Sequence, residues 1–139
     1  MKEPDLARSL LRSARTIAVV GYSHKPDRPS NSVSAYLRRQ GYRVIPVNPQ
    51  LRRAIVDGER AYDRLVDIPE TESVDFVDVF RRAEFLDAVV DDAVAAGIGA
   101  IWFQLDLGSD GPARRGEGMG LRVVWDRCTA IEHRRLPAG

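Results

Sequence analysis

The run TIAVVG at residues 16–21 is rich in β-branched residues and carries no charged side chain. A strand with one face in water alternates apolar and polar residues; a continuous run fits a strand buried on both faces. Four more stretches read as strands: YRVIPV (42–47), VDFVDVF (74–80), AIWFQL (100–105) and LRVVWD (121–126). Pro46 places the second near its own end. Between the strands lie helical patterns. Pro4 opens a helix that carries Leu6, Leu10 and Leu11 on one face and ends near Ala14. Residues 30–40 place Val33, Tyr36 and Leu37 on a shared face, with Gly41 as C-terminal cap. Residues 82–96 carry a stripe of Phe85, Leu86, Val89, Val90, Ala93 and Val94, stopped by Gly97. The spacing asks for a further helix near 112–119. The glycines at 108, 111, 116, 118 and 120 argue against a stable one and predict local mobility. In 50–72, AIVDG reads as a short turn of helix or strand and AYDRLVDIP as a short edge element. The tail IEHRRLPAG reads as a short helix with a frayed end.

Strands alternating with helices imply right-handed βαβ units. The expected fold is a doubly wound, Rossmann-like α/β domain over residues 1–139, with a parallel sheet of about five strands and helices on both faces. Ligands of such sheets bind outside the carboxyl ends of the strands, beside the first one.

A net charge of +1 creates no global field for nucleic acid or an acidic membrane surface. The apolar runs fall far short of the ~20 residues that span a bilayer. The segment MKEPDLARSLLRSAR has no apolar signal core. These features predict a cytoplasmic protein. Cys128 is the single cysteine, and His24 and His133 lie far apart, so neither a disulfide nor a metal site is expected.

The strand ends carry the candidate chemistry. After the first strand, Gly21 is followed by Tyr22, Ser23, His24, Lys25 and Pro26 where a dinucleotide-binding protein keeps further glycines. Hydroxyls at Ser23, Ser30 and Ser32, the ammonium of Lys25 and a following helix N-terminus suit a phosphate. The same residues also make ordinary turns and caps. After the second strand, Val47, Asn48 and Pro49 precede Arg52 and Arg53, with no acid for ribose hydroxyls. Two arginines favour a phosphorylated ribose, as in NADP or coenzyme A; solvated loop charges are the alternative. After the third strand, Phe80, Arg81 and Arg82 place cations before a helix, against its dipole, which points to an anion or to a pair with Glu84 or Asp78. Trp102 and Gln104 share a strand face, Trp102 as core and Gln104 as a donor for a ligand amide. Asp126 and Arg127 read as a local ion pair, and Cys128 as a small buried residue or a thiol at the binding edge.

The segments VVGYSHKPDRPSNSVSAYLRRQGYRVIPVNP, IPETESVDFVDVFRR, IWFQL and VVWDRCTAIEHRRL together resemble the small stand-alone CoA-binding domain family. That family is similar to the N-terminal CoA-binding domain of the succinyl-CoA synthetase alpha subunit. The likeness runs from Leu6 to Leu136, and its specificity lies in the combination G-x-S-x-K-P-x-R, V-N-P, V-D-x-F-R and D-R-C. The resemblance implies that Gly21, Tyr22, Ser23 and Lys25 hold a pyrophosphate, with Ser32 at the helix start. Val47, Asn48 and Pro49 would frame the adenosine, with Arg52 or Arg53 near the 3′-phosphate. Phe80 and Arg81 would border the pantetheine or phosphate path, and Gln104 and Cys128 would lie toward the thiol. Tyr22 stands where a small residue is common and is expected to narrow the loop.

Coenzyme A or an acyl-CoA is thus the implied ligand, held by a carrier, sensor or partner-docking module without its own turnover. A homodimer or a separate protein partner fits that role. A thiol-redox-responsive protein that forms a CoA mixed disulfide at Cys128 is a second reading, and an NADP-binding oxidoreductase a third.

Overall fold

The computed structural model describes residues 4–108 and 111–137. In chain order its strands are β1 (Thr16–Val20), β2 (Arg43–Val47), β3 (Ile55–Val56), β4 (Glu59–Arg60), β5 (Phe76–Val79), β6 (Ala100–Phe103) and β7 (Arg122–Val124). Its α-helices are α1 (Pro4–Ser13), α2 (Pro29–Arg39), α3 (Leu86–Ala95), α4 (Gly111–Gly118) and α5 (Thr129–Arg134). The main sheet has the order β2-β1-β5-β6-β7 and every pairing in it is parallel. This is the doubly wound, Rossmann-like arrangement, and the chain changes direction across the sheet between β1 and β5.

Successive strand residues point to opposite faces. Ala18, Val20, Val77, Val79, Ile101 and Phe103 pack with Leu86, Val89 and Val90 of α3 and Ala113 of α4. Ile17, Val19, Phe76 and Trp102 pack with Leu10 and Leu11 of α1 and Leu37 of α2. All five residues of β1 are buried, as its unbroken apolar run requires. On the outer side of β2, Pro46 accepts from the Tyr62 N–H at 3.0 Å, and Asn48 N–H donates to the Tyr62 carbonyl at 2.9 Å.

Three expectations change. The helix expected over 82–96 starts later: Ala83–Phe85 form a single 3-10 turn and α3 begins at Leu86. Phe85 leaves the stripe because its ring lies under the Arg81 guanidinium, 4.1 Å from the ring centroid. The ambiguous AIVDG becomes a hairpin, β3–β4, whose turn residues Asp57 and Gly58 have φ of 48° and 81°. The glycine-rich stretch does form a helix, α4. A Cβ on Gly116 would stand 3.0 Å from Val123 Cγ2, so the residue that weakens the helix also lets it lie close on β7. Ser109, Asp110 and the expected frayed end at 138–139 fall outside the described residues.

One carboxyl sits inside this core. Asp78, in the middle strand β5, has no exposed surface. Gln104 Nε2 donates to its Oδ1 at 2.5 Å and Thr129 Oγ1 donates to its Oδ2 at 2.9 Å, so β5, β6 and α5 meet at one side chain. Loss of solvent pushes Asp78 up to about 7, and the two hydrogen bonds offset only part of that rise. An acid whose pKa is higher folded than unfolded stabilises the fold below its unfolded value, near 3.9. That contribution is lost as pH climbs through about 7. Exposed pairs such as Glu72 with Arg43 pull the opposite way, since Arg43 lowers the Glu72 pKa. The comparison with Asp78→Asn isolates the buried group. In urea denaturation, the stability of wild type relative to this variant falls between pH 4 and 7, by at most ~1.4 kcal/mol per pH unit. A difference that does not change with pH would show that Asp78 stays ionised.

Candidate functional site

The switch point is closed by a backbone contact. Gly21 follows β1 with φ of +84°, and a Cβ there would stand 2.5 Å from the Phe80 carbonyl oxygen. Only glycine lets the first loop pass this close to the chain leaving β5. Gly21 N–H donates to Val47 O and Phe80 N–H to Val20 O, each at 2.9 Å, so three strand ends are tied together.

The loop after Gly21 is held from α2. Ser23 N–H donates to the buried Ser30 Oγ at 3.0 Å, and Asn31 Nδ2 donates to the Ser23 carbonyl at 3.0 Å. Lys25 N–H donates to Ser23 Oγ at 3.2 Å. Pro29 occupies the first turn of α2, and no side chain at Arg28 caps it. The helix thus presents an uncapped N-terminus beside exposed His24, Lys25 and Arg28, a setting that suits an anion. Asn48 joins this loop to the next: its Nδ2 donates to the Tyr22 carbonyl at 2.9 Å and its Oδ1 accepts from Gln50 N–H at 3.0 Å.

Three cavities meet around these strand ends. The first, about 400 Å³, is lined by Gly21 to Lys25, Arg28, Pro29, Ser30, Asn48, Gln50, Leu51 and Phe80. The second, about 190 Å³, is lined by Gly21, Val47, Asn48, Pro49, Arg64, Leu65, Arg81, Phe85 and Val89, among others. Its wall is braced by Arg64, whose Nε and Nη2 donate to the two oxygens of Asp92 at 3.1 and 2.5 Å. The third, about 430 Å³, is lined by Pro29, Val33, Phe80, Arg81, Arg82, Gln104, Leu105, Leu107 and Cys128.

Of the residues singled out by sequence, Gly21, Tyr22, Ser23, Lys25, Asn48 and Phe80 surround the first cavity. Val47, Asn48, Pro49 and Arg81 line the second, and Phe80, Arg81, Gln104 and Cys128 the third. Ser32 lines none of them: its exposed hydroxyl turns back to the Pro29 carbonyl at 3.3 Å. Ser30, two residues earlier, holds the loop instead. Arg52 and Arg53 also lie outside all three cavities, exposed on a loop where both adopt left-handed φ, 52° and 58°. The Tyr22 ring does not narrow the loop. It is fully buried beneath it, and its hydroxyl donates to Asp57 Oδ2 at 3.2 Å and accepts from Arg38 Nη2 at 3.3 Å. Burial raises the Tyr22 pKa, so the hydroxyl stays protonated.

Gln104 is turned inward, with its amide nitrogen shared between Asp78 and Thr129. Trp102 is core, and its Nε1 donates to the Arg127 carbonyl at 2.8 Å. Arg82 pairs with Glu84 at 3.4 Å, as the salt-bridge alternative predicts for it. Arg127 pairs with Glu132 at 3.2 Å. Cys128 is half-buried at the N-cap position of α5. His133 packs between the rings of Tyr36 and Tyr42 rather than at the site. Among the described residues, no group of three or more His, Cys, Asp and Glu side chains could hold a metal ion. No described helix is long and apolar enough to cross a membrane.

The family model described as "CoA binding domain" matches residues 15–134. The chain is 33% identical over 135 residues to the protein YneT of Bacillus subtilis (strain 168), covering 96% of this chain and 97% of that one. It is 38% identical to a protein of known structure from Thermus thermophilus, covering 96% of this chain and 98% of that chain with a TM-score of 0.87. It also resembles part of a dinucleotide forming acetyl-coenzyme A synthetase 1 from Ca. Korarchaeum cryptofilum, solved with phosphate and ADP. There the identity is 26% and the TM-score 0.68, over 87% of this chain but 27% of that chain. The chain belongs to the CoA-binding domain family, and membership supports binding of coenzyme A in general.

The Gly21 contact has a measurable cost. Gly21→Ala meets both a disfavoured φ and the Phe80 carbonyl, whereas Gly58→Ala, at φ +81°, meets no atom within 4 Å. Gly21→Ala therefore lowers unfolding free energy by more than ~1 kcal/mol, and by more than Gly58→Ala does, in chemical denaturation. Equal losses would show that the loop yields at Phe80.

Proposed function

We propose that this member of the CoA-binding family holds coenzyme A across the switch point, with its pyrophosphate over the loop Gly21–Lys25. The observation that carries this reading is the meeting of three cavities at Gly21, Phe80 and Arg81. A ligand with an adenosine end, a charged middle and a thiol end matches three adjoining spaces of different character. Asn48 and Pro49 frame the adenosine side. Arg52 and Arg53, on the adjoining loop, supply charge for the 3′-phosphate from outside the cavity wall. The pantetheine arm runs along Phe80 and Arg81, and its thiol stops at the mouth of the third cavity, on the side of Gln104 and Cys128.

The role is that of a carrier, sensor or docking module without turnover. The synthetase relative supports the CoA assignment by its name, but the match covers 27% of its chain, so its ligase chemistry is not carried over. Calorimetry on the reduced protein tests the binding mode. Coenzyme A binds saturably, dephospho-CoA about tenfold more weakly, and NADP not at all. Arg52→Ala combined with Arg53→Ala weakens CoA to the dephospho-CoA level and leaves dephospho-CoA unchanged. Equal binding of CoA and dephospho-CoA would remove the 3′-phosphate assignment, and binding of NADP in place of CoA would overturn the reading in favour of an oxidoreductase.

A second reading rests on Cys128, which lines the third cavity beyond Phe80. An oxidant such as diamide would take two electrons and two protons from the Cys128 and CoA thiols and leave a mixed disulfide. Intact-protein mass spectrometry after treatment with diamide and CoA then shows one CoA adduct, reversed by a reducing agent and absent from Cys128→Ser. Protein that stays unmodified would restrict the site to non-covalent binding.

A further inference from the structure

The third cavity differs in chemistry from the other two. Its surface is almost wholly hydrocarbon, formed by Pro29, Val33, Phe80, Leu105, Leu107 and Cys128. It lies beyond the carboxyl ends of β5 and β6 and shares Pro29 and Phe80 with the phosphate-loop cavity, so the two spaces adjoin. Three polar side chains border it, and each makes a contact outside it. The Arg81 guanidinium lies over the Phe85 ring. Arg82 pairs with Glu84. The Gln104 amide nitrogen is directed into Asp78 and Thr129.

A pantetheine arm carries two amides, and burying an amide without partners is costly. A hydrocarbon chain has no such requirement and gains from every methylene taken out of water. Leu105 stands at the rim with 53% of its surface exposed, second only to Ile55 among the exposed large apolar side chains of the described residues. Its place at the mouth of an apolar cavity gives that exposure a purpose, because an entering chain would cover it.

We infer that this cavity is an acyl subsite, and that the protein prefers coenzyme A thioesters of apolar acyl chains to free CoA and to carboxyl-bearing acyl-CoAs. The inference rests on the CoA reading above and specifies its ligand class. The thioester end emerges past Phe80, and the chain lies between Val33 of α2 and Leu105 and Leu107 of the loop after β6.

The test is calorimetry of the reduced protein with CoA, hexanoyl-CoA and succinyl-CoA in parallel. Each buried methylene is worth roughly fourfold in affinity, so a six-carbon chain that enters the cavity binds at least about tenfold tighter than CoA. Succinyl-CoA gains nothing over CoA. Leu105→Asp puts a charge on an exposed rim position and abolishes the hexanoyl gain while leaving CoA affinity unchanged; Val33→Trp fills the opposite wall and does the same. Equal affinity for CoA and hexanoyl-CoA, a hexanoyl gain that survives both variants, or succinyl-CoA binding as tightly as hexanoyl-CoA would each overturn the acyl subsite and leave CoA binding standing. Failure of all three ligands to bind would overturn the CoA reading itself, and the subsite with it.

Discussion

The site depends on one backbone contact, the passage of Gly21 against the Phe80 carbonyl. It brings the loop after β1 and the loop after β5 to the same point, where the sheet order reverses direction. All three cavities are bounded by one or both of these loops. A side chain at Gly21 would spread the strand ends and merge or close those spaces. The glycine is therefore spent on the join between loops, and in the proposed binding mode the contacts to an anion fall to neighbouring N–H groups, hydroxyls and lysine. That division explains how a loop with a single glycine can occupy the place of a glycine-rich one.

Around that contact the structure divides its polar groups into two sets. Asn48, Ser30 and Asn31 spend their hydrogen bonds on holding loops together. Asp78, Gln104 and Thr129 spend theirs inside the core. Exposed Lys25, Arg28, Arg52 and Arg53 are left to meet solvent or a ligand. The bonded set holds the strand ends in place, and Lys25 and Arg28 give the first cavity a positive border despite a net charge of only +1.

The architecture was legible because it is written in local pattern. The apolar run at 16–21 could belong only to a buried element, and the alternation with helical stripes led to a parallel sheet. The place of Gly21 to Lys25 around a cavity was legible because ligand spaces in such sheets open after the first strand. What stayed hidden depends on contacts between distant residues. Ser30 and Ser32 are equivalent hydroxyls in sequence, and only the fold-back of the loop chooses Ser30. Arg64 and Asp92 brace a cavity wall from 28 positions apart. VDFVDVF contains two aspartates and no pattern that ranks them. Asp75 caps the start of β1 from the edge of the strand by accepting from the Arg15 and Thr16 N–H groups, while Asp78 is sealed in the core. The Tyr22 ring could be placed below the loop only once the hairpin carrying Asp57 was in position.

The outer flank of β2 has a further consequence. A free strand edge offers a row of unpaired N–H and C=O groups to any other chain that can line up with it. Here Pro46 lacks an N–H, and Tyr62 already takes the neighbouring positions through two hydrogen bonds. At the opposite margin β7 spans only three residues. The sheet is thereby blunted at both margins, so copies of this chain are poor templates for one another's strands. The folded chain is guarded on its β2 side against the edge-to-edge stacking that leads to fibres.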